Sequence, residues 1–146
     1  MKPILIFYGV CLTSAPAACR TIADFLKDTN TAPTEYDMIL TGDLGSVGSE
    51  LLCELMIKQE KTDISAVHED CGLMIYDPEK QKDIGAGGSG CGCSGAVVCS
   101  DILGRIEAGE LKKVLFVGTG ALMSGISTLQ SESIPAIAHG VLFTGG

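Results

Sequence analysis

This chain has little of what a nucleic-acid-binding or membrane-spanning protein needs. Its 146 residues include 10 Lys and Arg against 18 Asp and Glu, for a formal net charge of −8. An acidic chain without a basic cluster lacks the electrostatic footprint that phosphate backbones require, so we expect no nucleic-acid partner. No apolar run approaches the roughly 20 residues that cross a bilayer. Trp is absent, and the only two histidines are His68 and His139.

What the chain does have is apolar content, at 46% of its residues, which predicts one packed globular domain. The first 19 residues combine a Lys with an apolar run and small side chains, as a secretory signal does. Pro3 and Gly9 interrupt that run, and it leads directly into a predicted helix. We therefore favour a cytoplasmic chain over a secreted one.

Cysteine is abundant, and its number, seven, is odd. Without a signal peptide this pattern favours reduced cysteines buried as small apolar side chains, with a reactive thiol as the second interpretation. Cys91 and Cys93 form the only close pair, and neither histidine lies at ligand spacing from them. We expect no metal and no cofactor.

Apolar runs and helical spacing predict five strands and three helices. The strands are expected at residues 3–10, 36–41, 71–77, 113–118 and 136–144. Ser14 is expected to cap the first helix, with Pro16 in its first turn and its end near residues 28–33. The second helix is expected at residues 46–60 and the third at about 91–107. Residues 62–70 and 78–83 are predicted to be polar connections.

This alternation of strands and helices predicts an α/β fold in the order β-α-β-α-β-α-β-β. Strands joined through helices lie parallel, so we expect a five-stranded, mostly parallel sheet with helices on both faces. The last two strands have no helix between them, which predicts that they pair in antiparallel fashion.

Residues 84–100 (IGAGGSGCGCSGAVVCS) form a segment with six glycines and no charge. So much glycine would destabilise an exposed helix, at roughly 1 kcal/mol for each residue relative to Ala. We predict a glycine-rich loop at residues 85–90 that leads into a buried helix. A helix that is small or apolar all round must be covered on both sides, so another chain or a missing part should cover the side away from the sheet.

The glycines of residues 85–90 match G-x-G-x-x-G, but a charged loop separates them from the preceding strand. A dinucleotide fingerprint is therefore disfavoured. Close helix packing and an anion held at a helix N-terminus both stay open. Residues 118–125 follow a strand, where open α/β sheets place ligands, but lack the Gly-Lys-Ser/Thr of a P-loop. We expect His139 to be a core histidine rather than a base, and His68 to be solvated.

Six blocks of sequence, in order along the chain, resemble the stage V sporulation protein AD family, whose fold is thiolase-like. The blocks are SAPAA at residues 14–18, YDMILTGD at 36–43, DCGLMIYD at 70–77, AGGSGCGCS at 86–94, KKVLFVGTGALMS at 112–124 and IPAIAHG at 134–140. The family's fold stacks two similar halves, with the third helix of each half buried between two sheets. The resemblance implies that residues 1–146 are one C-terminal half domain and that the N-terminal half is absent.

Thiolases transfer acyl groups with a Cys of the N-terminal half and a His plus a His or Asn of the C-terminal half. The matching positions here lie near residues 41–44 and 87–89, which contain neither His nor Asn. The resemblance therefore implies a binding protein rather than an enzyme. The alternative is an acyltransferase with Cys91 or Cys93 as nucleophile and His139 as base.

The ligand that the resemblance implies is dipicolinic acid, free or as its calcium chelate, taken up by the developing spore. The expected partners are the N-terminal half or a second copy of the chain, and membrane proteins of the same sporulation operon. These would hold the chain at the forespore inner membrane. We expect ligand contacts from Gly87, Gly88, Ser89, Gly90, Cys91, Ser94, Gly118, Thr119, Gly120 and His139.

Overall fold

A computed structural model describes residues 4–77, 80–81, 84–85, 87, 92–121 and 135–146, with only the backbone described for residues 4–12. The elements in chain order are α1 (Ile4–Thr29), a 3-10 turn (Pro33–Glu35), β1 (Met38–Thr41), α2 (Gly45–Glu60), β2 (His68–Asp70), α3 (Cys71–Ile75), α4 (Cys93–Val97), a π-helical turn (Val98–Ile102), α5 (Leu103–Glu107), β3 (Lys113–Ala121) and β4 (Ala136–Thr144). None of the helices described is long and apolar enough to cross a membrane.

The described strands form one mixed sheet in the order β2-β1-β3-β4. Strand β1 is parallel to both of its neighbours, with Ile39 opposite His68 and Leu115. Strands β3 and β4 pair in antiparallel fashion, with Gly118 opposite His139. The predictions of a mostly parallel sheet and of an antiparallel last pair are confirmed, but the described sheet has four strands rather than the expected five.

The first predicted strand, at residues 3–10, is wrong because α1 is already helical from Ile4. A short apolar run fits a buried strand and a buried helix equally well, and no turn residue separates this run from the helix that follows. Ser14 and Pro16 consequently lie inside α1 rather than at its start. Since proline has no N–H, Pro16 leaves one bond of the helical ladder unmade.

The predicted strand at residues 71–77 is also wrong, because Cys71–Ile75 forms α3. The physical reason is an N-cap made by the residue that precedes this helix. The Asp70 carboxylate accepts a hydrogen bond from the backbone N–H of Gly72, which is the N-cap interaction that starts a helix. The strand of this region is instead the short β2, within the segment predicted to be a polar connection.

Two apolar clusters, one on each face of the sheet, confirm that helices cover both faces. One cluster packs α1 and α2 against Ile39, Leu115 and Val117. The other packs α3, α4 and the π-helical turn against Leu40 and Val114. Burial of these apolar side chains stabilises the fold by roughly 1.5–3 kcal/mol for each large residue.

The predicted small-residue helix is present from Cys93 to Glu107 as α4, the π-helical turn and α5 in succession. Its sheet side is buried through Cys93, Val97 and Ile102. Its opposite side exposes small residues, among them Gly95, Ala96, Ser100 and Gly104. The sheet thus covers one side of this helix, and the prediction that something else covers the other side stays a prediction.

Candidate functional site

The parallel strands β1 and β2 end at the same edge of the sheet, beside the last residues of β3, which is where open α/β sheets place ligands. The turn after β1 is locked against β3 at this edge. The N–H of Asp43 donates to Thr119 Oγ1 at 3.2 Å, and the N–H of Gly42 donates to the Val117 carbonyl at 3.0 Å. A Cβ on Gly42 would lie 3.0 Å from the Thr119 nitrogen, which is closer than ordinary contact, so this turn lies very close to β3.

Asp70, at the end of β2, holds this edge together. Its Oδ1 accepts from Thr41 Oγ1 at 2.6 Å and from the Leu44 N–H at 2.8 Å. Its Oδ2 accepts from the Gly45 N–H at 2.9 Å and from the Gly72 N–H at 3.0 Å. One carboxylate, only 1% exposed, therefore caps both α2 and α3.

This role of Asp70 was not predicted from the sequence. An Asp immediately before a helix is a recognised N-cap signal, but the prediction of a strand at residues 71–77 concealed it. The consequence for function is direct. The amides of Leu44 and Gly45 at the start of α2 already donate to an internal carboxylate, so these two are not open to the carboxylate of a ligand.

His68 lies inside this network, so its predicted solvation is wrong. Its Nε2 lies 3.0 Å from Thr41 Oγ1, and its Nδ1 lies 3.8 Å from the sulfur of Cys53 on α2. Burial lowers the pKa of His68, and the nearby Asp70 opposes that shift. The Thr41 hydroxyl donates its hydrogen bond to Asp70. The Thr41 oxygen therefore accepts from Nε2–H of His68, and Nδ1 is left to accept from the Cys53 thiol.

His139 is exposed, so the prediction of a core histidine is wrong. Side chains alternate along β4, which puts Ile137, His139 and Val141 on one face, opposite Gly120, Gly118 and Phe116 of β3. Ile137 is 56% exposed and Val141 is 48% exposed. We call the surface made by Gly118, Gly120, Ile137, His139 and Val141 the β3–β4 shelf. It is apolar except for one imidazole. The Phe116 ring lies against Gly118, whereas a Cβ on Gly120 would meet nothing within 4 Å.

The other predicted ligand contacts within the described residues lie on β3, on α4 and beside α3. Gly87 has a φ of +81°, and a Cβ there would lie 3.2 Å from the Gly72 carbonyl, so this glycine sits beside the start of α3. Ser94 is half-buried on α4. Gly118, Gly120 and His139 come together on one face of β3 and β4, whereas Thr119 lies on the other face and contacts Asp43. Gly88, Ser89, Gly90 and Cys91 lie outside the described residues.

The cysteines described divide by burial. Cys19, Cys71 and Cys93 are buried, which confirms the small-hydrophobe interpretation for these three. Burial, with Asp70 close by, raises the pKa of Cys71 to about 12. Cys53 is half-buried and Cys99 is exposed, and none of these five cysteines forms a disulfide. Within the described part of the chain, no three His, Cys, Asp or Glu residues are grouped to hold a metal ion.

Comparison with known proteins identifies the family. The family description "Stage V sporulation protein AD (SpoVAD)" matches residues 8–144. The chain belongs to the stage V sporulation protein AD family. It is 46% identical over 129 residues to the stage V sporulation protein AD of Bacillus subtilis (strain 168). The match takes in 88% of this chain and 37% of that relative's length. The family resemblance expected from the sequence blocks is confirmed.

Proposed function

We propose that this chain takes part in binding dipicolinic acid for uptake into the developing spore, and that it binds without catalysing acyl transfer. Membership of a sporulation family supports the cellular role. The observation that supports this ligand is the exposed imidazole of His139 on the β3–β4 shelf. Dipicolinic acid is a planar pyridine with two carboxylates, so an apolar platform with one nearby donor fits its chemistry.

In the proposed pose the pyridine ring lies over Gly120, where a Cβ would meet nothing within 4 Å, and beside the Phe116 ring, which lies against Gly118. Ile137 and Val141 contact the ring edges, and an imidazole N–H of His139 donates to one carboxylate. A hydrogen bond to a charged acceptor contributes about 1.5–3 kcal/mol. Removing the imidazole should therefore weaken binding by roughly 10-fold to 100-fold.

The test is a calorimetric titration of the full chain with dipicolinate, with and without calcium. Saturable binding is expected, together with weaker binding of isophthalate, which has the same carboxylates but no ring nitrogen. His139→Ala should reduce the affinity. Thr144→Ala, an exposed position on the same strand, should not. Equal binding by wild type and His139→Ala would refute the proposed pose.

The alternative, an acyltransferase with a Cys nucleophile and His139 as base, has less support. Cys93 is only 1% exposed, so an acyl thioester cannot reach its sulfur in this conformation. Cys91, the other candidate, lies outside the described residues. We expect no turnover of acyl-CoA by the purified chain. Turnover that a thiol-blocking reagent abolishes would instead establish the acyltransferase.

The proposed architecture is one C-terminal half of a thiolase-like fold. In this arrangement the exposed small-residue side of α4 and α5 packs against the rest of the family's polypeptide or against a second copy of the chain. Close helix packing needs small side chains, and Gly95 and Gly104 offer open space on that side. We propose that membrane proteins of the same sporulation operon bind the assembled protein at the forespore inner membrane.

A further inference from the structure

Four polar side chains from α2, β2 and β1 form a continuous chain of hydrogen bonds. The Cys53 sulfur lies 3.8 Å from His68 Nδ1, and His68 Nε2 lies 3.0 Å from Thr41 Oγ1. Thr41 Oγ1 in turn donates to Asp70 at 2.6 Å. The thiol thus contacts a base, and the base contacts a group that orients it, which is the order of contacts that activates a nucleophile.

We propose that Cys53 is a base-assisted reactive thiol that exchanges with small disulfides, with His68 Nδ1 as the acceptor of the thiol proton. The site is independent of dipicolinate binding, because its residues are not part of the β3–β4 shelf. Cys53 is half-buried on α2, whereas Cys19, Cys71 and Cys93 are buried. The proposal needs a small disulfide to reach the Cys53 sulfur from the exposed part of this residue, while the three buried thiols are shielded.

The orientation of His68 decides which nitrogen acts. Asp70 accepts the hydrogen bond of the Thr41 hydroxyl. The Thr41 oxygen can then only accept from Nε2, so Nε2 is the nitrogen that bears the hydrogen. The lone pair of Nδ1 is left facing Cys53. Burial, together with the charge of Asp63, raises the pKa of Cys53, and burial lowers the pKa of His68. The resting pair is therefore an uncharged thiol and an uncharged imidazole, and the proton moves only during the reaction.

In the proposed step, Cys53 Sγ attacks one sulfur of the disulfide as its proton passes to His68 Nδ1. The new sulfur–sulfur bond forms while the old one breaks, and the second half of the disulfide leaves as a thiolate. Cys53 is oxidised and the departing half is reduced, so the electrons balance. Asp70, linked through Thr41, stabilises the imidazolium until it returns its proton to the departing thiolate or to water.

The pH dependence of the rate distinguishes this mechanism from ordinary thiol reactivity. A thiol without a base reacts through its thiolate, whose fraction rises about tenfold per pH unit below the thiol pKa. A thiol assisted by a neutral imidazole reacts at a rate that changes little once the imidazole is deprotonated. The exposed Cys99 on the same chain provides an internal comparison without this base.

The experiment treats the full chain with bis(2-hydroxyethyl) disulfide at pH 6 to 8.5 and measures modification of each cysteine by peptide mass spectrometry. The expected result is a rate at Cys53 that changes less than about threefold between pH 7 and 8, while the rate at Cys99 rises about tenfold. His68→Gln should slow the modification of Cys53 at least about tenfold at pH 7 and leave the rate of modification of Cys99 unchanged.

Two outcomes would overturn the proposal. One is a Cys53 rate that follows the same pH slope as Cys99. The other is complete modification of Cys99 while Cys53 stays unmodified. If His68→Gln does not fold, the wild-type pH profile alone decides, because it needs no variant.

Discussion

The hydroxyl of Thr41 and the carboxylate of Asp70 lie 2.6 Å apart, although the two residues are 29 positions apart in the sequence. This contact joins the ends of two parallel strands. The same carboxylate caps α2 and α3, and the same hydroxyl orients His68. The connections that follow β1 and β2 at this edge of the sheet therefore depend on one buried carboxylate, that of Asp70.

Replacing that acid should destabilise the fold strongly. In Asp70→Asn, one side-chain oxygen becomes an NH₂ group, which cannot accept from the backbone N–H groups of Gly45 and Gly72. Leaving such buried donors unpaired should lower the free energy of unfolding by about 3 kcal/mol. Urea denaturation followed by circular dichroism measures the change. Glu69→Gln, at the exposed neighbouring position, is the control and should change stability by less than about 0.5 kcal/mol.

Two glycine substitutions should act in opposite directions. In Gly42→Ala the new methyl would lie 3.0 Å from the Thr119 nitrogen, and relieving that overlap should destabilise the chain by about 1–3 kcal/mol. In Gly95→Ala the methyl meets nothing within 4 Å, so the helix should gain about 0.5–1 kcal/mol. Thermal unfolding of both variants at one pH tests the pair. A Gly42→Ala protein as stable as wild type would contradict the close approach of this turn to β3.

Stability should fall in mildly acidic solution because of His68. Its pKa is lowered in the folded chain, so the unfolded chain binds more protons at pH values below about 6.5. The stabilisation is thus fully present above that pH and is lost as the pH falls toward the folded pKa. The midpoint of thermal unfolding should drop between pH 7 and 5 in wild type.

The control for this prediction is His68→Gln, which has no titrating group at the position and should lose less stability over the same range. Hydrogen bonds also lower the pKa values of three carboxylates, those of Asp37, Glu54 and Asp63. Their contribution to the free energy of unfolding is lost only at lower pH, near and below about 4. Equal losses in wild type and His68→Gln between pH 7 and 5 would contradict the assignment.

The exposed side of the small-residue helix should mediate self-association of the isolated chain. Size-exclusion chromatography with light scattering is expected to give a dimer. A charge at Ala96, in the middle of that side, should dissociate it, because like charges from two copies would meet in the interface. Ala96→Glu should therefore be monomeric with an unchanged helix content. A wild-type monomer, or a dimer that survives Ala96→Glu, would rule out this surface as the contact.

Local sequence determined the elements whose signals do not depend on partners. Strands β1, β3 and β4 and helix α2 follow from apolar runs and helical spacing, and the missing helix between β3 and β4 correctly predicted their antiparallel pairing. The sequence blocks also identified the family, and chain order predicted a mostly parallel sheet with helices on both faces.

Tertiary structure decided what depends on contacts between distant residues. An apolar run such as residues 4–10 or 71–75 is compatible with either backbone, and both runs form helices. The Asp70 side chain that caps the second one is held by Thr41 and by the Leu44 N–H, which are distant in the sequence. His68 and His139 exchanged their expected environments for the same reason. Burial is a property of what packs over a residue, and in this chain Thr41 and Cys53 contact one histidine while the shelf leaves the other exposed.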